Sequence, residues 1–194
     1  MPGPPTPLTA RFDEAVTLAR ELHARQPRKA TTIPYLSHLL GVASLVLDDG
    51  GSEDEAIAAL LHDAAEDQGG KDTLNDIRTR FGERVAEIVD GCTDTYEYPK
   101  PPWKARKEQY IAHVRQTDDR GILRVSLADK LHNARAIHFD LLTIGDELWD
   151  RFRSGRDEVL WYYETLADEF ERKGAGPMVK ELRRTVANIR ADSA

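Results

Sequence analysis

Apolar residues recur at steps of three and four along almost the whole chain, and this spacing is typical of amphipathic helices. Between Phe12 and His23 the apolar side chains form one helical stripe, and Leu160, Tyr163, Leu166 and Phe170 form another. No segment alternates apolar and polar residues in the way that a half-buried strand does. We therefore predict an all-α protein that folds as a single compact helical bundle.

Prolines, glycines and capping residues set the predicted helix boundaries. Ser52 and Glu55 form a capping-box pattern, which predicts a continuous helix over 53–67 with the sequence EDEAIAALLHDAAED. Pro34 suits the first turn of the preceding helix. We predict a disordered, proline-rich tail over 1–7, one domain over 8–194 and a loop at 143–146. Further helices are predicted over 73–82, 82–94, 103–116, 119–138, 157–172 and 178–190.

Charge and cysteine content exclude several classes of protein. The 27 Lys and Arg against 34 Asp and Glu give a net charge of −7, whereas non-specific nucleic-acid binders usually carry a basic excess. Cys92 is the one cysteine, so the chain cannot form an intramolecular disulfide or a multi-thiolate zinc site. We expect no secretory signal, because MPGPPTPL lacks a basic segment followed by an apolar one, and no run of about 20 apolar residues occurs in the sequence. We predict a cytoplasmic protein with no DNA, RNA or membrane partner.

Ionisable residues interrupt the apolar helices at four places. In the continuous helix predicted over 53–67, His62 and Glu66 lie four residues apart, as do Asp63 and Asp67, so each pair shares a face. Taken singly, each residue has a structural alternative, such as a hydrogen-bonded core histidine or half of an ion pair. Their common order along the chain, H…HD…D, favours one site. The four places are His38, His62-Asp63, Glu66-Asp67 and Asp129.

Burying these carboxylates without an opposite charge would cost on the order of several kcal/mol of desolvation free energy per ion. A divalent cation is the simplest compensation. Two imidazoles and two carboxylates suit Mn²⁺, Fe²⁺ or Zn²⁺. The predicted ligand set is His38, His62, Asp63 and Asp129.

Four stretches resemble the HD-domain metal-dependent phosphohydrolases: RKATTIPYLSHLLGVA, AALLHDAAED, RVSLADKLHNARAI and EVLWYYETLA. Within that superfamily the chain is similar to the stand-alone small alarmone hydrolases and to the hydrolase domain of bifunctional alarmone synthetase/hydrolases. The resemblance covers Phe12 to Phe170. It implies an HD-domain helical bundle, one metal ion, commonly Mn²⁺, on the four ligands above, and a small-molecule nucleotide substrate. The implied reaction removes the 3′-pyrophosphate of guanosine tetra- and pentaphosphate (ppGpp and pppGpp).

The motifs also carry over individual roles. Glu66 and Asp67 match the pair that positions and activates the attacking water. The residues implied in substrate binding are Arg28, Lys29, Asn133 and Tyr163. The stretch from Arg28 to His38 is one residue longer than in the bifunctional enzymes, so which of Arg28 and Lys29 contacts the base stays open. Tyr162 is an alternative to Tyr163, and Ala136 stands where many relatives have threonine.

Two alternatives to this function stay open. The first is an HD-domain phosphomonoesterase that acts on another nucleotide, such as NADPH or a deoxynucleotide. The second is a non-catalytic helical module that senses a nucleotide, although the Glu66-Asp67 pair favours catalysis. A P-loop nucleotidase is excluded because the chain has no GxxxxGK[ST] segment. The oligomeric state is not predicted.

Overall fold

A computed structural model describes residues 6–193, and the regular structure within this range is helical. Apart from one isolated bridge between Pro27 and Pro34, these residues form no strand pairing, so the all-α prediction is confirmed. A 3₁₀ helix, Gly145–Arg151, follows α8. The α-helices are α1 (Ala10–Leu22), α2 (Leu36–Asp48), α3 (Glu53–Leu61), α4 (Ala64–Asp67), α5 (Gly70–Phe81), α6 (Glu83–Cys92), α7 (Trp103–Gln116), α8 (Arg120–Ile144), α9 (Gly155–Arg172) and α10 (Met178–Asp192).

The described residues cluster into two units, one ending at Tyr96 and the other beginning at Glu97. The single domain predicted over 8–194 therefore stays a prediction. Of the tail predicted over 1–7, residues 1–5 lie outside the described range, while Thr6 donates a hydrogen bond to the Gly51 carbonyl at 2.9 Å. None of the helices within 6–193 combines the length and apolar character that crossing a membrane requires.

In the first unit, α3 is the central helix, and α1, α2 and α6 pack against it. Every side chain from Ala56 to Leu61 is fully buried. The predicted capping box is confirmed, because the Ser52 hydroxyl accepts from the Glu55 amide while the Glu55 carboxylate accepts from the Ser52 amide. This cap fixes where the buried helix begins.

The continuous helix predicted over 53–67 is wrong, because α3 ends at Leu61 and α4 begins at Ala64. His62 Nδ1 lies 2.8 Å from the Ala59 carbonyl, which is an acceptor for the helical ladder at this turn. Side chains that bond to nearby backbone compete with the regular ladder. Asp63 has φ −94° and ψ −3°, outside ideal helical values, and it precedes α4 as its N-cap.

In the second unit, α8 packs against α10, α9 and the 3₁₀ helix, and α7 packs against α9. The predicted stripe of Leu160, Tyr163, Leu166 and Phe170 is buried, as expected. The predicted loop at 143–146 is wrong, because α8 continues to Ile144. It stops at Gly145, whose φ of 63° lies in the positive range that glycine adopts readily.

Candidate metal centre

Two buried imidazoles converge on one carboxylate in the first unit. His38 comes from α2 and His62 from the end of α3, and they are 0% and 2% exposed. Their Nε2 atoms lie 3.7 Å and 3.1 Å from Oδ2 of Asp63, and their ring centroids are 5.3 Å apart. The first unit therefore brings together three of the predicted ligands.

The tautomer of His62 follows from its hydrogen bond. A carbonyl oxygen can only accept, so the contact with Ala59 places the ring proton on Nδ1 and leaves a lone pair on Nε2 in the neutral ring. That lone pair lies 3.1 Å from an oxygen of Asp63. A cation between a lone pair and a carboxylate makes this approach favourable. The donor set fits a divalent metal ion.

Tyr35 adds a contact that the sequence analysis missed. Its hydroxyl donates to Oδ2 of Asp63 at 2.5 Å, and its ring meets the His38 ring edge-on with centroids 5.4 Å apart. Tyr35 precedes His38 by three residues, so the two share a helical face. This spacing was the available signal, but a tyrosine at the start of a helix does not reveal where its hydroxyl points.

Glu66 and Asp67 both lie on α4, and each has a defined partner. Oε2 of Glu66 accepts from the backbone amide of Asp94 at 3.0 Å, just beyond α6. Oδ2 of Asp67 accepts from Nε2 of Gln26 at 2.8 Å. Because α4 is a separate short helix, the continuous helix that was to place His62 and Glu66 on one face does not form. Asp67 keeps its relation to Asp63 through a backbone hydrogen bond of 3.0 Å.

Asp67 is exposed at an open surface cleft of the first unit. The segment between α1 and α2 borders this cleft and folds back on itself, since the Arg28 amide donates to the Ile33 carbonyl and the Tyr35 amide to the Gln26 carbonyl. Arg28 is half-buried and Lys29 is exposed in this segment. The cleft is lined by Leu22, Arg25, Gln26, Pro27, Asp67 and Gln68.

In the second unit, Asp129 is buried on α8 and has two polar neighbours on the same helix. Its carboxylate lies 2.5 Å from Nζ of Lys130 and accepts from the side-chain amide of Asn133 at 2.6 Å. Burial opposes the charge on Lys130, but Asp129, Tyr110 and Tyr162 outweigh it and hold the lysine pKa well above its usual value. Asn133, predicted to contact substrate, thus also orients Asp129.

The two candidate pocket tyrosines are both buried on α9. Tyr162 and Tyr163 are 4% and 8% exposed, and their ring centroids are 5.6 Å apart. The Tyr162 ring also meets Trp103 at 5.9 Å and lies 5.1 Å from Nζ of Lys107. These contacts do not distinguish the two tyrosines, so the alternative between Tyr162 and Tyr163 stays open.

Comparison with known proteins identifies similar sequences. The family model described as "HD domain" matches residues 15–143. One relative is the guanosine-3′,5′-bis(diphosphate) 3′-pyrophosphohydrolase MESH1 of Xenopus tropicalis. It is 38% identical over 143 residues, which cover 72% of this chain and 74% of that enzyme. MESH1 of Danio rerio is 35% identical over 184 residues, 93% of this chain and 89% of that enzyme. An Aquifex aeolicus enzyme with the same activity in its name is 37% identical, but only 18% of its length is matched.

Two solved structures are similar to the chain. A metazoan ortholog of SpoT, described as hydrolysing ppGpp, superimposes with a TM-score of 0.76 at 24% identity, covering 93% of this chain and 96% of that one. The lmo0812 protein of Listeria monocytogenes gives a TM-score of 0.66 at 31% identity, covering 77% and 96%. At 24% identity, the similarity to the metazoan ortholog shows a shared fold.

Proposed function

The chain belongs to the HD domain family, and on this premise we propose that it is a metal-dependent hydrolase of guanosine 3′,5′-bis(diphosphate) and the corresponding pentaphosphate. The products would be pyrophosphate and GDP or GTP. The names of relatives 35% to 38% identical, which match most of the chain, support this substrate. The observation that carries the proposal is the convergence of the His38 and His62 imidazoles on Asp63, next to the α4 carboxylates.

We propose that His38, His62, Asp63 and Asp129 hold one divalent ion. His38, His62 and Asp129 are each buried, and each offers one atom that can ligate a metal. Two nitrogen and two oxygen ligands suit Mn²⁺, the ion expected here. When bound, the ion supplies Lewis-acid polarisation of the phosphoryl group. The protein's own side chains supply the remaining chemistry.

In this proposal Glu66 accepts the proton of the attacking water, and Asp67 orients that water. The hydrogen bond from the Asp94 amide limits how far the Glu66 carboxylate can turn. The water oxygen forms a bond to the phosphorus attached to the ribose 3′ oxygen, and the bond between that phosphorus and the 3′ oxygen breaks. The 3′ oxygen takes up a proton, so pyrophosphate leaves and the 3′ hydroxyl is restored.

The substrate carries several negative charges in a protein of net charge −7, so it needs local basic and polar contacts. We propose that Arg28 and Lys29 contact its base and phosphates, with Asn133 and Tyr163 contributing further contacts. Arg28 and Lys29 lie on the folded-back segment beside the cleft that contains Asp67. The proposed partner is a small-molecule nucleotide, and the proposed compartment is the cytoplasm.

Product analysis tests the proposal directly. The purified chain is incubated with guanosine 3′,5′-bis(diphosphate) and Mn²⁺, and the products are separated and identified. We expect GDP and pyrophosphate, and we expect His62→Ala to form neither. Orthophosphate release from a panel of nucleotide phosphomonoesters, without GDP or pyrophosphate from the tetraphosphate, would contradict the proposal and favour a phosphomonoesterase.

A further inference from the structure

We propose that Tyr35 is a positioning residue for the metal centre, which orients the Asp63 carboxylate and is itself held by His23. This inference rests on the proposed function, because it concerns the same metal site. The hydroxyl of Tyr35 donates to Oδ2 of Asp63, and the same oxygen lies nearest to the imidazole nitrogens of His38 and His62. The hydroxyl is thus bound to the oxygen at which the ligands converge.

The tyrosine ring is fixed on two sides. It stacks on His23 with centroids 5.2 Å apart and an interplanar angle of 23°, and it meets His38 edge-on. Its backbone amide donates to the Gln26 carbonyl at 2.9 Å. Because ring and backbone are both held, the hydroxyl reaches Asp63 without ordering a mobile side chain.

His23 is locked in turn by Gln26. Nε2 of Gln26 faces the carboxylate of Asp67 at 2.8 Å, so the amide oxygen of Gln26 faces His23 Nδ1, also at 2.8 Å. The same oxygen accepts from Gln68 at 2.5 Å. Because an amide oxygen can only accept, His23 donates from Nδ1. His23 is 3% exposed, so this hydrogen bond is formed by a buried imidazole. One hydrogen-bonded cluster therefore supports both Tyr35 and Asp67.

A hydrogen bond to a ligating carboxylate restricts its rotation before the ion arrives. Removing such an outer-shell partner typically weakens metal binding or activity by about 10- to 100-fold. Tyr35→Phe removes only the hydroxyl and keeps the ring between His23 and His38. It should therefore weaken metal binding without removing a metal ligand.

Tyr96→Phe is a matched control in the same unit. The Tyr96 hydroxyl also donates to an aspartate, Asp90, at 2.5 Å, and burial together with Asp90 raises the pKa of Tyr96 to about 12. Asp90 is not a proposed ligand. The experiment measures the dissociation constant of Mn²⁺ for the metal-stripped full chain by calorimetric titration. Melting of the metal-free variants verifies that each is folded.

We expect Tyr35→Phe to raise the Mn²⁺ dissociation constant by about 10- to 100-fold, with hydrolysis recovering at saturating Mn²⁺. Tyr96→Phe should bind Mn²⁺ like the wild type. Wild-type affinity in Tyr35→Phe, or equal weakening in both variants, would overturn the inference while leaving the metal centre intact. If the wild type binds no more Mn²⁺ than Asp63→Ala, the proposed metal centre itself fails and the inference falls with it.

Discussion

At the scale of single residues, Glu66 has two roles that one substitution can separate. It accepts a hydrogen bond from the Asp94 amide, and in the proposed reaction it is the base. Glu66→Gln keeps an oxygen that can accept from this amide, but it removes the base. We therefore expect kcat to fall by about two to four orders of magnitude with Mn²⁺ affinity unchanged. Steady-state kinetics and metal titration measure the two quantities.

The control for this variant is Glu87→Gln, which neutralises an exposed glutamate of α6 paired with Arg84. It should leave kcat unchanged. Turnover at the wild-type rate in Glu66→Gln would show that another group accepts the proton.

Residue patterns in the sequence predicted part of this site. Histidine and aspartate inside apolar helices predicted His38, His62 and Asp63, because an ordinary core rarely contains such groups. The same patterns do not point to the supporting residues Tyr35, Gln26 and His23. Their hydrogen bonds and ring contacts join positions brought together by the fold, and no local spacing reveals such partners.

At the scale of elements, the start of α3 followed from local chemistry, whereas its end did not. The Ser52–Glu55 capping box is readable from the sequence because both partners lie within four residues. The break at His62-Asp63 depends on a side chain bonding to the Ala59 carbonyl, so helical periodicity alone missed it. The end of α8 was not predicted closely, because the predicted helix ended at 138 and the predicted loop began two residues before Gly145.

The capping box provides a stability test. Ser52→Ala removes the acceptor for the Glu55 amide, so the free energy of unfolding should fall by about 1 kcal/mol. Ser52→Gly should lower the free energy of unfolding by only about a few tenths of a kcal/mol, because glycine is a tolerated N-cap. Denaturant unfolding of metal-free protein measures both values. An alanine variant as stable as the wild type would show that this cap adds no stability.

At the scale of the whole molecule, the family match over residues 15–143 crosses the point where the chain divides into two units. The proposed ligands divide in the same way, with His38, His62 and Asp63 in the first unit and Asp129 in the second. Composition and periodicity predicted the helical class, but they contain no information on how two helical units are arranged. The proposal that His38, His62, Asp63 and Asp129 together hold one ion is therefore the central claim.

Asp129→Asn is the variant that tests this claim, because it keeps the side-chain volume while removing the charge of the proposed ligand. Asp140→Asn is the matched control, since Asp140 lies on the same helix and pairs with Arg151 rather than with a proposed ligand. His62→Ala removes a ligand from the first unit. All three variants are prepared as full chains and stripped of metal.

The decisive measurement is the Mn²⁺ stoichiometry and dissociation constant of these proteins in one titration series. The account predicts one ion per chain in the wild type and in Asp140→Asn, with binding lost in both His62→Ala and Asp129→Asn. Wild-type stoichiometry and affinity in Asp129→Asn would contradict it, because the ion would then be held without the Asp129 carboxylate.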